Sequence, residues 1–214
     1  MLFNCIFYIL LSLTVLYISQ FYFDQNEFSS FIKLFIIGLL YALFYKFVFG
    51  IFDSMTETIA NPLSIWIKYI IIDGLLFIAI SSALLYGIIG FFNIVNVDTG
   101  WKNTSFLLFA LLSGYFTIYS IYYNSIQFIP NTIFAYMHYA SLILIISTLS
   151  GLGISKFIEG YSISEKLISL LLGIILPVII TTPLKVAYFY GNLLYLVSIP
   201  IATVLLFVYI KKQI

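Results

Sequence analysis

Arginine is missing from this chain altogether, and histidine and cysteine occur once each, at His138 and Cys5. Each absence closes off a chemistry. Without arginine there are no bidentate guanidinium clamps of the kind that hold phosphate in lipid phosphatases and some intramembrane transferases. One histidine cannot supply a His-Glu-x-x-His zinc helix, and the chain carries neither a Gly-x-Ser-x-Gly elbow nor a Gly-x-x-x-x-Gly-Lys phosphate loop. Aspartyl chemistry needs two neighbouring carboxyls, whereas the apolar runs offer Asp73 alone. A lone cysteine excludes an intrachain disulfide. No cofactor and no metal is expected, and an enzymatic role has little support.

Charge is scarce as well. Only 8% of residues are charged and 63% are hydrophobic, against roughly 25% and 45–50% in soluble domains. The expected solvent is therefore lipid. All nine basic residues are lysine, and they are dispersed, with a net charge of +1. That pattern leaves no basic stripe for nucleic acid. The expected partners are the lipid bilayer and other membrane subunits. Abundant Ile, Phe, Tyr and Asn fit codon bias in an AT-rich genome, and the expected location is the inner (cell) membrane of a bacterium.

What is present is a series of long apolar runs, at 2–23, 31–52, 65–92, 105–123, 132–152, 167–184 and 192–210. About twenty apolar residues span a hydrocarbon core of roughly 30 Å. The fold class is thus all-α: a polytopic transmembrane helix bundle of about seven helices, in a single integral membrane domain over 1–214 without internal repeats. The first run has no basic n-region and no small-residue cleavage motif, so it reads as a retained helix. Span six is short and contains Pro177 and Pro183, which leaves a re-entrant hairpin with six full crossings as the alternative. Its Thr181 and Thr182 hydroxyls are placed to satisfy carbonyls freed by the prolines. Gly151 and Gly153 suit close helix contact but lack the Gly-x-x-x-Gly spacing.

Orientation follows the lysines. Loops one, three and five and the C-terminus hold Lys33, Lys102, Lys156, Lys166, Lys211 and Lys212, and the opposite side holds Lys46, Lys68 and Lys185. The positive-inside rule then places the N-terminus outside and the C-terminus in the cytoplasm.

Polar residues inside the spans gather at one depth. Counting from the lysine-poor end, Lys46 lies about 9 Å in, Asp73 about 12 Å, His138 about 9 Å, and Tyr115 and Tyr119 about 12 and 6 Å. Thr181, Thr182, Lys185, Asn192, Tyr195 and Asn4 lie toward the same end. Asp73 must be protonated or partnered at such a depth. Lys68 is five residues away and so poorly placed around the helix, which points to Lys46 as the interhelical partner. Two readings apply to Lys46, Asp73, Tyr115, Tyr119, His138, Thr181 and Lys185: bonds that hold helices together, or a polar cavity in a substrate or proton pathway. Three functions fit these observations: a small transporter or permease subunit with a cavity near one membrane face, a non-catalytic scaffold, assembly factor or partner subunit, and an intramembrane enzyme without a recognisable motif.

Overall fold

The computed structural model of the chain describes residues 25–58, 61–90, 100–126 and 133–211. The first expected span, 2–23, with Asn4 and Cys5, lies outside the described residues. Helix α1 covers Gln25–Thr58. A second long helix follows in three sections: α2 over Pro62–Ile67, a π-helical segment over Lys68–Leu76, and α3 over Phe77–Gly90. Then come α4 (Trp101–Ile126), α5 (Ile133–Glu159), α6 (Ile163–Phe189), a 3-10 turn (Leu193–Val197) and α7 (Ser198–Lys211). Among the described residues every element is helical.

Polar caps, rather than hydropathy, mark where helices start. Asn61 accepts the Leu63 amide at 3.1 Å, ahead of Pro62 in the first helical position. Ser162 and Glu165 form a capping box before α6. Gly191 reverses the chain after α6 with φ of 66°, a left-handed value that glycine adopts without strain.

Four segments are long and apolar enough to cross a membrane: Ser29–Gly50, Pro62–Ile89, Met137–Glu159 and Ile163–Phe189. The apolar parts of α4 and of the last helix are shorter, Asn103–Tyr119 and Leu193–Leu205. The expected count of about seven is therefore not reached among the described residues. Apolar side chains cover the outside of the bundle, and hydroxyl side chains share its apolar interior. Leu40, Leu43, Phe44 and Phe47 of α1 and Leu171, Leu172, Ile175 and Ile179 of α6 face outward, whereas Ser81, Ser105, Ser113, Thr117, Ser147 and Ser150 are buried. Such an arrangement fits a lipid surround, where apolar side chains lose nothing by exposure and polar ones bond between helices.

Helix α4 is the centre of the bundle, packed between α1 and α5, with Leu107, Leu108, Leu111 and Leu112 almost wholly enclosed. The α1–α4 crossing is backbone on backbone. A Cβ at Gly38 would land on the Leu111 carbonyl, and one at Gly114 on the Phe35 carbonyl. Between α5 and α6, a Cβ at Gly153 would come within 2.6 Å of the Gly173 Cα. Small residues thus let helices approach where lipid supplies no hydrophobic drive of its own.

That approach also mends α6. The helix runs unbroken through Pro177 and Pro183, so the chain does not turn back as a re-entrant hairpin would. Pro177 has no amide to give the Gly173 carbonyl four residues earlier. Ser150 of α5 donates to that carbonyl instead, at 2.7 Å. The repair comes from a neighbouring helix and not from the expected threonine: Thr181 donates to the Pro177 carbonyl at 2.8 Å. Ser150→Ala should leave the Gly173 carbonyl without a donor and cost about 1–3 kcal/mol. Gly38→Val should cost at least as much by overpacking, about 1–3 kcal/mol or more. Gly87→Ala, where a Cβ meets nothing within 4 Å, should be neutral or stabilising. Thermal unfolding in detergent micelles checks the order; equal melting temperatures for Ser150→Ala and Gly87→Ala would contradict it.

Candidate functional site

The candidate site grows out of the π-helical segment. Winding with i→i+5 bonds changes register against the α-helices on either side, and single-turn departures of this kind recur at functional positions. Side chains from neighbouring helices donate to its carbonyls. Tyr45 of α1 reaches the Ile72 carbonyl at 2.6 Å, Thr182 of α6 the Tyr69 carbonyl at 3.3 Å, and Lys185 of α6 the Asp73 carbonyl at 2.6 Å. At the segment's end, Ser81 donates to the Phe77 carbonyl at 2.7 Å, with the Tyr41 hydroxyl 3.2 Å from its Oγ. Gly74 lets α6 come close: a Cβ there would meet the Tyr69 carbonyl at 2.7 Å and Val178 at 3.1 Å.

These bonds hold Asp73 and Lys185 beside a cavity lined also by Tyr69, Tyr115, Tyr119, His138 and Tyr188. Its space is ≈ 30 Å³, room for one or two water-sized groups at about 10–15 Å³ each. It lies toward the end of the bundle where α2 begins, α4 ends, α5 begins and α6 ends, the lysine-poor end. Five of the seven residues singled out in the sequence line it: Asp73, Tyr115, Tyr119, His138 and Lys185. Lys46 stands next door. Its ammonium is 4.8 Å from the centre of the Tyr119 ring, a cation–π distance, and it lines a narrower cleft together with Asp73 and Tyr115. Thr181 is buried in α6 and turned to its own helix backbone. Lys185, expected to lie toward the same end, grips the Asp73 main chain, and its ammonium is also within electrostatic reach of the Asp73 carboxylate.

His138 is fully buried. Its Nδ1 lies 3.1 Å from the Tyr195 carbonyl and 2.9 Å from the Ser198 hydroxyl. A carbonyl only accepts, so Nδ1 carries the proton in this bond and Nε2 keeps its lone pair. Nε2 is buried and meets no hydrogen-bond partner among the described residues. Tyr188 stacks on the imidazole at 5.2 Å between centroids with planes 20° apart, and Tyr195 meets it edge-on at 5.2 Å. Tyr115 and Tyr119 stack on each other at 5.9 Å, and Tyr115 closes on Phe77 at 4.6 Å.

Tyr69 and Tyr188 were not among the expected site residues, since Tyr188 reads as an interfacial ring near a span end. The available signal was spacing: Tyr69 precedes Asp73 by four, and Lys185 precedes Tyr188 by three, so each shares a helix face with a charged residue. Among the described residues no group of three His, Cys, Asp or Glu side chains is close enough to hold a metal ion.

Removing Lys185 should be felt, because its ammonium serves the Asp73 main-chain carbonyl and stands within electrostatic reach of the carboxylate. Lys185→Met is expected to lower stability by about 2–4 kcal/mol. Combined with Asp73→Asn, Lys185→Met should cost at least about 0.5 kcal/mol less than the sum of the two single changes. Strict additivity in denaturation measurements would show that Asp73 and Lys185 do not interact. Comparison with protein families, with curated proteins and with solved structures finds no match for this chain.

Proposed function

We propose that the chain is a small transporter or permease subunit of a bacterial inner membrane, whose cavity admits a small polar solute or ion from the lysine-poor face. One observation carries the reading: Asp73, Lys185 and His138, from three separate helices, meet at a single small cavity. Ionisable groups are costly at such depth, and inward-facing groups of this kind mark substrate and ion pathways. Bonds that merely hold helices together need no room between them, and this cluster encloses space. The small volume restricts the solute to the size of one or two water molecules. The π-helical segment packs on α6 beside Pro177, with Gly74 against Val178, and irregular helices of this sort accompany binding sites in transporters. About seven crossings, with the N-terminus outside and the C-terminus in the cytoplasm, complete the reading and place the cavity mouth on the extracytoplasmic side.

Flux tests the proposal directly. Liposomes containing the purified protein and a trapped pH indicator, given inward gradients of small salts, should respond at least tenfold faster than empty liposomes. Asp73→Asn at equal protein content should remove most of that difference. Wild-type liposomes that behave as empty ones would overturn the transport reading.

Topology has its own test, in a Cys5→Ser background. Tyr161 is fully exposed between α5 and α6, and Tyr190 is exposed after α6. A membrane-impermeant thiol reagent applied to whole cells should label Tyr190→Cys and spare Tyr161→Cys. The reverse pattern would invert the orientation.

A further inference from the structure

We infer that the cavity takes up one neutral, water-sized molecule that donates one hydrogen bond and accepts another, water or ammonia, held between Nε2 of His138 and the ammonium of Lys185. The inference rests on the cavity proposed above and names what enters it. Three observations lead there.

The first is an acceptor. With Nδ1 committed to Tyr195 and Ser198, the fully buried ring presents a lone pair at Nε2 that meets no hydrogen-bond partner among the described residues. A buried acceptor left unmade is costly, so its partner has to come from the cavity and has to donate. The second is a donor. Lys185 lines the same cavity, within electrostatic reach of that ring. Its bond to the Asp73 carbonyl uses one of three N–H groups and leaves two for other acceptors. A molecule seated between lysine and histidine therefore accepts on one side and donates on the other. The third is charge and size together. The lining holds one lysine and one aspartate, and a histidine with its proton on Nδ1 alone is neutral, so the wall sums to zero. A chloride, sodium or ammonium ion would leave an uncompensated charge in this buried site, whereas a neutral molecule leaves none. The Asp73 carboxylate opposes an anion directly, as the Lys185 ammonium opposes a cation. A space of ≈ 30 Å³ admits only one or two groups of water size, at about 10–15 Å³ each. Water and ammonia both meet these requirements, each with hydrogens to donate and a lone pair to accept. Ammonia enters as the base: the ammonium ion gives its proton to buffer in solution, and no covalent bond of the protein forms or breaks.

Occupancy is measurable without transport. His138 is the chain's sole histidine, so nitrogen-15 NMR of the full chain, labelled at histidine and embedded in lipid bilayers, reads its two ring nitrogens singly. At pH 7 in sodium gluconate, Nδ1 should carry a proton and Nε2 none, and Nε2 should receive magnetisation from water protons. Ammonium gluconate, titrated at pH 7 and again at pH 8, separates the two sources. A saturable shift of Nε2 that needs about tenfold less total ammonium at pH 8 identifies ammonia, because the free base rises by that factor. Water contact with no response to ammonium gluconate identifies water alone. Lys185→Gln should keep the tautomer and lose at least half of the transfer from water, and undiminished transfer there would overturn the bridge. The wild-type measurements decide without any variant. A proton on Nε2 at pH 7, a bare Nε2 that neither water nor ammonia reaches, or a shift that follows total ammonium or added chloride would each overturn the inference. An occupied Nε2 with silent liposomes would leave this assignment standing and remove the transport reading. Flux with a dry Nε2 would do the reverse.

Discussion

Four helices are long and apolar enough to cross a bilayer, where a carbonyl group has no water to turn to, and the bonds that meet this requirement organise the molecule. Two stretches break the regular supply of amides: the π-helical turn at Lys68–Leu76 and the prolines of α6. The π-helical turn and the gap left by Pro177 are mended from outside their own helices. Ser150 of α5 serves Gly173, Tyr45 of α1 serves Ile72, and Thr182 and Lys185 of α6 serve Tyr69 and Asp73. Irregularity in one helix thereby becomes a bond to the next. The three helices that supply these donors, α1, α5 and α6, also supply Lys46, His138 and Lys185 to the polar cluster.

Close packing at glycine makes the mending geometrically available. Ser150 can reach across to Gly173 because Gly153 lies against Gly173 without side chains between them. Likewise Gly74 brings the π-helical segment against Val178, which sets Thr182 and Lys185 within reach of its carbonyls. On the other side, the Gly38–Gly114 crossing draws α4 against α1 and lets Tyr115 join Tyr41, Tyr45 and Phe77 in one aromatic wall. The cavity is what remains where bulky rings from α4 and α6 cannot fill the gap between the helices so fixed.

Depth was legible from the chain alone, because rise along a helix is constant and hydropathy locates the ends. That is why Asp73, Tyr115, Tyr119, His138 and Lys185 could be grouped before any fold was known. Azimuth was not legible. Which carbonyl Lys185 reaches depends on how α6 is rotated against the π-helical segment, and that contact is set by Gly74 against Val178, whose spacing follows no simple repeat. Proline was misleading for a related reason. Sequence can say that Pro177 frees the Gly173 carbonyl, but the donor that replaces its amide sits 23 residues away on another helix. The number of crossings is the weakest inference from hydropathy, since α4 is central and largely enclosed by protein, and its apolar stretch of Asn103–Tyr119 need not meet the length that lipid contact demands.

Helix adhesion and a working site are not alternatives for the residues concerned, because each polar group has more than one bonding direction. An ammonium has three N–H donors, and the bond from Lys185 to the Asp73 carbonyl uses one of them. An imidazole has two nitrogens, and Nδ1 of His138 ties α5 to the final helical hairpin through Tyr195 and Ser198 while Nε2 faces the other way. The adhesive bond is what fixes the remaining direction. By accepting only a proton from Nδ1, the Tyr195 carbonyl decides which tautomer the ring adopts and hence that the cavity sees a lone pair. By holding Lys185 at the π-helical turn, the Asp73 carbonyl keeps a positive charge at the cavity wall that would otherwise extend toward the nearby membrane surface. The same contacts that hold the helices together therefore set the polarity of the space between them.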